Sequence, residues 1–529
     1  MDRNTLITAL ESAWTRWPDR TALVFGDLRM TYAQLAEEII KLASAYRQIG
    51  ISPGDRIVCH LSNRPEQIIS MSAAWMCSAV HVGVDHQLTG AELSSLVGLV
   101  GASILLHEPR DEDTDESLSL PEVRRNNPDT RIIFAGDHRI PDGQLSLSEL
   151  IDSAVRGKSS EQFPQAVPSA QDPAVIFITS GTTGKPKAPV GFHGNLSRRW
   201  QMLAKRLRFG PEDVHLAHLP LSHGFGLMMA MAGLMNGGRL VLLKRFSRER
   251  VFQLLETEQV TVLNGSAAHF NLILSELRAR RHSLRSLRLG IGSAAFFSPS
   301  MLRVIISDWG LEFMLMYGSS EGVGVITTDP DDMLRGSVGR PAADAVAIVG
   351  SDHTPLPIGE VGEIAFSRQV FPVQYWGESG QLSPSAKEAG DVKGDVWYYS
   401  GDRGHLDNEG RLYILGRLKH QINRGGMKVD PAEVEGALLL CPNVSDAAVI
   451  GMPHSVLGEI VCACVVPAPD EAISLERLRA GLKDVLAPFK LPEQLRVLEY
   501  IPRTPVGKVD LEKLRSQVMS ATSQAVTQT

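Results

Sequence analysis

Apolar residues recur along this chain in two rhythms. Short runs that are apolar at nearly every position, TALVF (Thr21–Phe25), RIVCHL (Arg56–Leu61) and VHVGV (Val80–Val84), read as strands covered on both faces. Between and after them, apolar residues three and four apart in YAQLAEEIIKLASAYRQIG (Tyr32–Gly50) and ELSSLVGLVGASILL (Glu92–Leu106) read as helices. This alternation from Arg20 to Val100 predicts a first α/β unit. AVIFIT (Ala174–Thr179) opens a second, which continues through Ile326. The longest apolar stretch, Leu227–Met235, is too short for a bilayer span and reads as a buried helix.

Around Pro355–Ile364 the rhythm changes to short β-like runs, AVAIVG, GEIAFS and LYILGR, punctuated by Gly and Pro, as in a small antiparallel sheet or barrel. Beyond Gly416 and Arg417 a new α/β sequence of about a hundred residues begins, enough for a domain of its own. The predicted fold class is α/β. Residues 1–416 form a large N-terminal domain of two α/β subdomains and a small β-barrel-like subdomain, and residues 417–529 form a small, mobile α+β C-terminal domain. The acidic run Asp111–Glu116, the stretch Gly157–Pro173 and the polar end Ser516–Thr529 read as a loop, a connector and a frayed terminus.

Composition narrows the function classes. A chain of 529 residues, 43% apolar and 21% charged, is expected to fold as two or more globular domains. Its net charge of -7 offers no broad basic face, so neither nucleic acid nor an anionic membrane is an expected partner. Cys59, Cys77, Cys441, Cys462 and Cys464 form neither a CxxC pair nor a disulfide framework, which suits reduced thiols. MDRNTLITALESAW lacks a signal-peptide core, and the expected location is cytoplasmic. His215, His218 and His223 lack cysteine or carboxylate companions at zinc-ligand spacing.

The densest chemistry lies in TSGTTGKPK, directly after an apolar strand: Thr179, Ser180, Gly181, Thr182, Thr183, Gly184, Lys185 and Lys187. Glycines let backbone N–H groups converge on an anion, hydroxyls donate, and a lysine supplies charge, a combination suited to phosphate. Only Thr182 and Thr183 separate the glycines, whereas a Walker A loop needs four residues there and a Ser or Thr after its lysine.

Five further segments follow in order: HGFG (His223–Gly226), YGSSE (Tyr317–Glu321), YSGD (Tyr399–Asp402), GRLKHQINRGGMKVDPAEVE (Gly416–Glu435) and PRTPVGK (Pro502–Lys508). With the loop they resemble the adenylate-forming superfamily of acyl-CoA synthetases, luciferases and peptide-synthetase adenylation domains, across most of the chain. The resemblance implies activation of a carboxylic acid by ATP to an acyl-adenylate, then transfer to coenzyme A with release of AMP and pyrophosphate. It assigns ATP binding to Thr179–Gly184, Lys187, Ser293, Ala294, Tyr317 against adenine, Gly318, Ser320 at the α-phosphate, and Asp402 with Arg417 at the ribose. Glu321 is the implied Mg2+ ligand, in keeping with the preference of a hard cation for carboxylate oxygen. Lys508 is the implied catalytic lysine, and a cation there would offset repulsion between carboxylate and phosphate. His223 is implied to shape the acyl site; an acid already ionised at neutral pH needs no general base.

The acyl pocket is expected to involve Phe225, Gly226, Met229, Phe296 and Val323. That wall is apolar and lacks an aspartate for an α-ammonium, so an aryl or hydrophobic aliphatic acid is expected rather than an amino acid. Lys419 falls at the family's hinge, and Gly425 and Gly426 at the passage for coenzyme A. The alternative acceptor is the phosphopantetheine of an acyl carrier protein, and a noncatalytic nucleotide-binding paralogue is the third reading. The chain departs from the family pattern with Ser320 and Ser400 for threonine, His420 for an acidic residue, Ala188-Pro189 for Gly-Val, and in the spacing of Gln369–Lys393.

Overall fold

The computed structural model describes the chain apart from residues 1–3, 111–119, 137–139, 141–142, 157–166, 180–185, 278–284, 294–296, 298, 343, 369, 371–372, 378–381, 385–390, 393–394, 469–470, 505–506 and 527–529. Successive side chains of a strand point to opposite faces, so a strand apolar throughout must be covered twice. Here Leu23 faces a central core while Val24 faces an outer one, and Ile57 and Val58 divide likewise.

Among the described residues, eight strands form one sheet. Its order is Gly324–Thr327, Glu312–Gly318, Leu289–Gly292, Val262–Gly265, Val214–Ala217, Arg239–Leu242, Thr21–Phe25 and Leu28–Thr31. All neighbours are parallel except the two edge pairs. Six strands form a second sheet, in the order Arg131–Phe134, Ile104–His107, Arg56–His60, Val80–Gly83, Pro173–Phe177 and Val190–Phe192, antiparallel only at the last pair. The helices Leu6–Arg16, Tyr32–Gln48, Pro65–Met76, His193–Arg206 and Gly224–Leu234 fill the space between the sheets, with Trp75, Tyr32 and Tyr46 fully buried. The helix Gly224–Leu234 is apolar on every side because protein surrounds it.

Three expectations are corrected. The strands Thr21–Phe25 and Leu28–Thr31 do not join the sheet of the strands that follow them; they extend the sheet built from later residues. Conversely, the strand expected to open the second unit, Pro173–Phe177, joins the six-stranded sheet of the first unit's strands. Glu92–Leu106 is also not one helix. The helix Gly90–Val100 ends at Gly101, whose φ of 59° is left-handed, and Ile104–His107 continues as a strand beside Arg56–His60.

The small antiparallel sheet contains Val346–Val349, Gly362–Ser367, Asp395–Leu406, Asp391–Val392 and Leu412–Arg417. A one-turn 3-10 segment, Leu418–His420, then leads to a separate sheet of Met427–Val429, Ile422–Arg424, Gly458–Pro467, Val444–His454 and Gln494–Val497, with its own core around Ile422, Val434 and Leu478. No described helix is long and apolar enough to cross a membrane.

Candidate active site

The segment around TSGTTGKPK is a hairpin. The strand Pro173–Phe177 enters, Val190–Phe192 returns antiparallel to it, and Thr179 and Lys187 exchange two backbone hydrogen bonds of 2.9 Å. A Walker A loop runs from strand into helix, so topology as well as spacing separates the two. Ser180, Gly181, Thr182, Thr183, Gly184 and Lys185 lie outside the described residues. The Ala188-Pro189 departure sits in the base of this hairpin. Ala188 is buried and its carbonyl accepts from Trp376 N at 2.8 Å, while Pro189 bridges to Tyr375 and its carbonyl accepts from Phe177 N. A residue without an N–H loses nothing where only its carbonyl is used. Lys187 Nζ lies 5.9 Å from the Tyr375 ring centroid.

YGSSE ends the strand Glu312–Gly318 and turns back into Gly324–Thr327. The turn is tight: Ser319 N donates to Val323 O and Gly322 N to Ser319 O, and Gly322 has a φ of 86°. Tyr317 donates its hydroxyl to Asp402 Oδ2 at 2.7 Å, and Arg417 Nε meets Asp402 Oδ1 at 2.9 Å. Two residues from two other strands thus share the carboxylate of Asp402. Ser400 uses its hydroxyl to accept from Asp402 N at 3.0 Å and to donate to Ile364 O, the job a threonine hydroxyl would do. Glu321 accepts from Tyr375 Oη at 3.1 Å, and Tyr398 lies near enough to feel its charge.

Lys508 comes to this cleft from the C-terminal domain. Its loop is closed by Thr504 N to Lys508 O at 2.8 Å and Gly507 N to Thr504 O at 2.7 Å. Gly507, at φ 81°, presses on Ser266 Oγ and stands close to the His269 ring, leaving no room for a Cβ. Lys508 is exposed to solvent, with enough protein nearby to desolvate its ammonium in part. That desolvation, with Arg417, holds its ammonium below the ordinary lysine range, against the opposite pull of Asp402 and Glu321. His223 caps the helix Gly224–Leu234; burial, reinforced by Lys508 and opposed by Asp85, lowers its pKa and favours the neutral ring. Lys508, Asp402, Arg417, Glu321 and His223 therefore share one electrostatic environment.

Phe225 is half-buried, and Met229 is enclosed in the central core. At Gly226 a Cβ would strike the Pro220 carbonyl oxygen. Val323 is buried beside the YGSSE turn, and Ser293 ends the strand Leu289–Gly292 with its N–H on Gly265 O. Ala294 and Phe296 lie outside the described residues. Lys419 is exposed on the 3-10 segment that joins the two domains' sheets. Gly425 and Gly426 form a two-residue hairpin with φ of 57° and 90°, positions that glycine occupies without strain. Gly425 approaches Leu457 of its own domain and a Cβ on Gly426 would meet open space, so this turn is not among the residues gathered around Lys508.

Several site residues carried no sequence signal. Asn63 is buried and threads its amide between the subdomains: Nδ2 donates to Ala217 O at 3.1 Å and Leu219 O at 2.8 Å, and Oδ1 accepts from Leu221 N at 2.9 Å. It thereby holds the backbone leading to His223. Tyr375 and Tyr398 beside Glu321, and Ser266 and His269 under Gly507, likewise act across long sequence separations.

Comparison with known proteins agrees with this geometry. The family model described as AMP-binding enzyme matches residues 10–376, and that of the AMP-binding enzyme C-terminal domain matches residues 433–508. A 2-hydroxy-7-methoxy-5-methyl-1-naphthoate–CoA ligase of Streptomyces carzinostaticus is 31% identical over 97% of this chain and 93% of its own. A feruloyl-CoA synthase of an Amycolatopsis species is 31% identical over 93% and 94%. The crystal structure of ATP-bound MatB from Rhodopseudomonas palustris superposes with a TM-score of 0.80 at 25% identity, covering 98% of this chain and 99% of that one. The chain belongs to the AMP-binding enzyme family, within the adenylate-forming superfamily, and is an AMP-forming acid–thiol ligase.

Proposed function

We propose that this enzyme activates an aromatic or hydrophobic carboxylic acid with ATP and passes the acyl group to coenzyme A from a single cleft served by two poses of the C-terminal domain. The observation that carries the reading is the convergence of Lys508 with Glu321, Asp402, Arg417 and His223, residues that lie far apart in sequence. In the first step a carboxylate oxygen attacks the α-phosphorus and pyrophosphate leaves. Lys508 offsets the negative charge that gathers between the two anions. Asp402 and Arg417 orient the ribose, Tyr317 offers a flat face to adenine, and Ser320 donates to phosphate. The residues of TSGTTGKPK between Thr179 and Lys187 hold the outer phosphates.

Glu321 fits a Mg2+ ion by its donor chemistry, a carboxylate beside a phosphate-binding turn whose tyrosine partner fixes its orientation. The ion would supply charge neutralisation at the phosphates. Neutral His223 and the apolar wall of Phe225, Gly226, Met229 and Val323 seat the acid, and the two curated relatives' names, a naphthoate and ferulate, support an aryl acid.

In the second step a thiolate attacks the acyl carbon and AMP leaves. The domain turns about Lys419, Lys508 withdraws, and Gly425–Gly426 lines the pantetheine path. We place residues 1–416 in the first domain and 417–529 in the second. Pyrophosphate release measured across a panel of aryl and aliphatic acids, with coenzyme A or a carrier protein as acceptor, tests the proposal. Acyl-CoA from an aryl acid supports it; loading of a carrier alone would instead make the enzyme an acyl-AMP ligase.

A further inference from the structure

Lys508 follows the loosest joint of its loop. Gly507 has a φ of 81°, and a glycine turns more freely about its backbone than any other residue. The Gly507 carbonyl and the Lys508 N–H share one planar peptide unit, so rotation of that plane swings the lysine's Cα and all that lies beyond it. Backbone bonds tie the base of the loop: Asp510 N donates to Pro502 O at 2.9 Å, and Arg503 pairs with Val509. None of these uses the Gly507 carbonyl.

A side chain takes it instead. Arg503 Nη1 donates to Gly507 O at 3.0 Å, and Nη2 donates to Asp446 Oδ1 at 2.7 Å. One planar guanidinium thus connects the peptide before Lys508 to the sheet of the C-terminal domain, and its rigid fork fixes both acceptors at once, as a lysine's single nitrogen on a flexible stem would not. The anchor is itself held. Asp446 stands in the strand Val444–His454 at a shift of register against Gly458–Pro467, the kind of irregularity that re-aims a side chain, and its Oδ1 also accepts from Ala447 N at 2.9 Å. The two side chains are 21% and 27% exposed, so water competes with their bond less than at an open surface. Beneath the loop, Ile501 packs with Ala448, Ile450, Leu514 and Val518.

We propose that Arg503, anchored on Asp446, is a positioning residue for Lys508: it fixes the Gly507–Lys508 peptide so that the ammonium enters the cleft already aimed. This rests on the adenylation role proposed above for Lys508. Asp446, Arg503 and Gly507 all lie beyond the 3-10 segment Leu418–His420, so the clamp moves with Lys508 and serves only the step for which the lysine is in the cleft.

The test measures each half-reaction separately on the full-length enzyme, with the aryl acid of the panel above that the wild-type enzyme activates fastest. Arg503→Met should lower kcat for ATP–pyrophosphate exchange by about 10–10²-fold, the loss that a small misplacement of a reacting group produces, with KM for ATP and for the acid little changed. Thioester formation from supplied acyl-adenylate should keep its wild-type rate, which also reports that the variant is folded. Arg503→Lys, which retains a donor, should recover part of the exchange rate. Asp446→Ala should give a smaller loss, and the double variant should be no slower than Arg503→Met alone, because the carboxylate acts through the guanidinium. In Lys508→Ala enzyme, Arg503→Met should add no further loss.

Wild-type exchange in Arg503→Met, equal losses in both half-reactions, or a full additional loss on top of Lys508→Ala would each overturn the proposal; the last two would make Arg503 a support of the domain's fold only. Unimpaired exchange in Lys508→Ala would overturn the reading of Lys508 itself, a result that the Arg503 variants alone do not produce.

Discussion

At the scale of single residues, the site is a set of charges and hydroxyls whose partners come from distant segments. The motifs were legible because each compresses several functional side chains into a few positions: Tyr317 and Glu321 in one turn, Asp402 after a strand, Lys508 in a Pro- and Gly-bounded loop. Asn63 was not legible, because its three partners lie between Ala217 and Leu221 and no local spacing announces them. Asn63→Ala is expected to cost about 2–4 kcal/mol, since buried backbone groups lose partners that water cannot replace. Equilibrium unfolding in urea checks this, and a change under about 0.5 kcal/mol, typical of neutral surface sites, would contradict it. Lys508→Ala should slow adenylation by about 10²–10³-fold, the usual loss when one preorganised charge is removed from a transition state. Thioester formation from supplied acyl-adenylate should persist in that variant, and unimpaired pyrophosphate exchange would remove Lys508 from the chemistry.

At the scale of elements, two turns of the C-terminal domain face different surroundings. The Lys508 loop rests on Ser266 and His269, whereas Gly425 meets Leu457 of its own domain. A Cβ at position 507 would meet both a left-handed backbone and the Ser266 hydroxyl, so Gly507→Ala should lower adenylation while sparing thioester formation. Gly426→Trp should do the reverse. Measuring each half-reaction separately in each variant decides the matter: equal losses in both steps would mean that these turns do not divide the work. Element boundaries were legible wherever apolar runs were short and separated by polar turns. The passage from helix to strand at Gly101 was missed because both elements are buried and apolar, and periodicity alone does not separate them.

At the scale of the whole molecule, burial of histidines makes stability depend on pH. Burial lowers His81 to about 3 and His193, His215 and His269 to about 4, so these rings stay neutral in the folded protein. The unfolded chain binds their protons near the ordinary value of 6.5, so the stability they contribute is full above that pH and is lost as pH falls towards 4 and 3. Glu435, pushed up to about 7 by burial, works in the opposite sense and offsets roughly one of the four. These five groups together should lower stability by about 3 kcal/mol between pH 7 and 5.5, and His60, His218 and His420, lowered by burial in the same sense, add to that loss. Thermal unfolding across that range measures it; a flat profile would show that water reaches these rings.

The two-sheet architecture was legible in outline, but which strand joins which sheet was not, because pairing between distant parallel strands leaves no local mark. The crossing-over of Thr21–Phe25 has a temporal side. A ribosome delivers that strand long before its neighbour Arg239–Leu242, and it delivers Pro173–Phe177 of the six-stranded sheet in between. Neither sheet can close during the early part of translation, so the newborn N-terminal segment waits with its apolar strand uncovered. The chain therefore commits to its native form late in synthesis, when both halves are present at once.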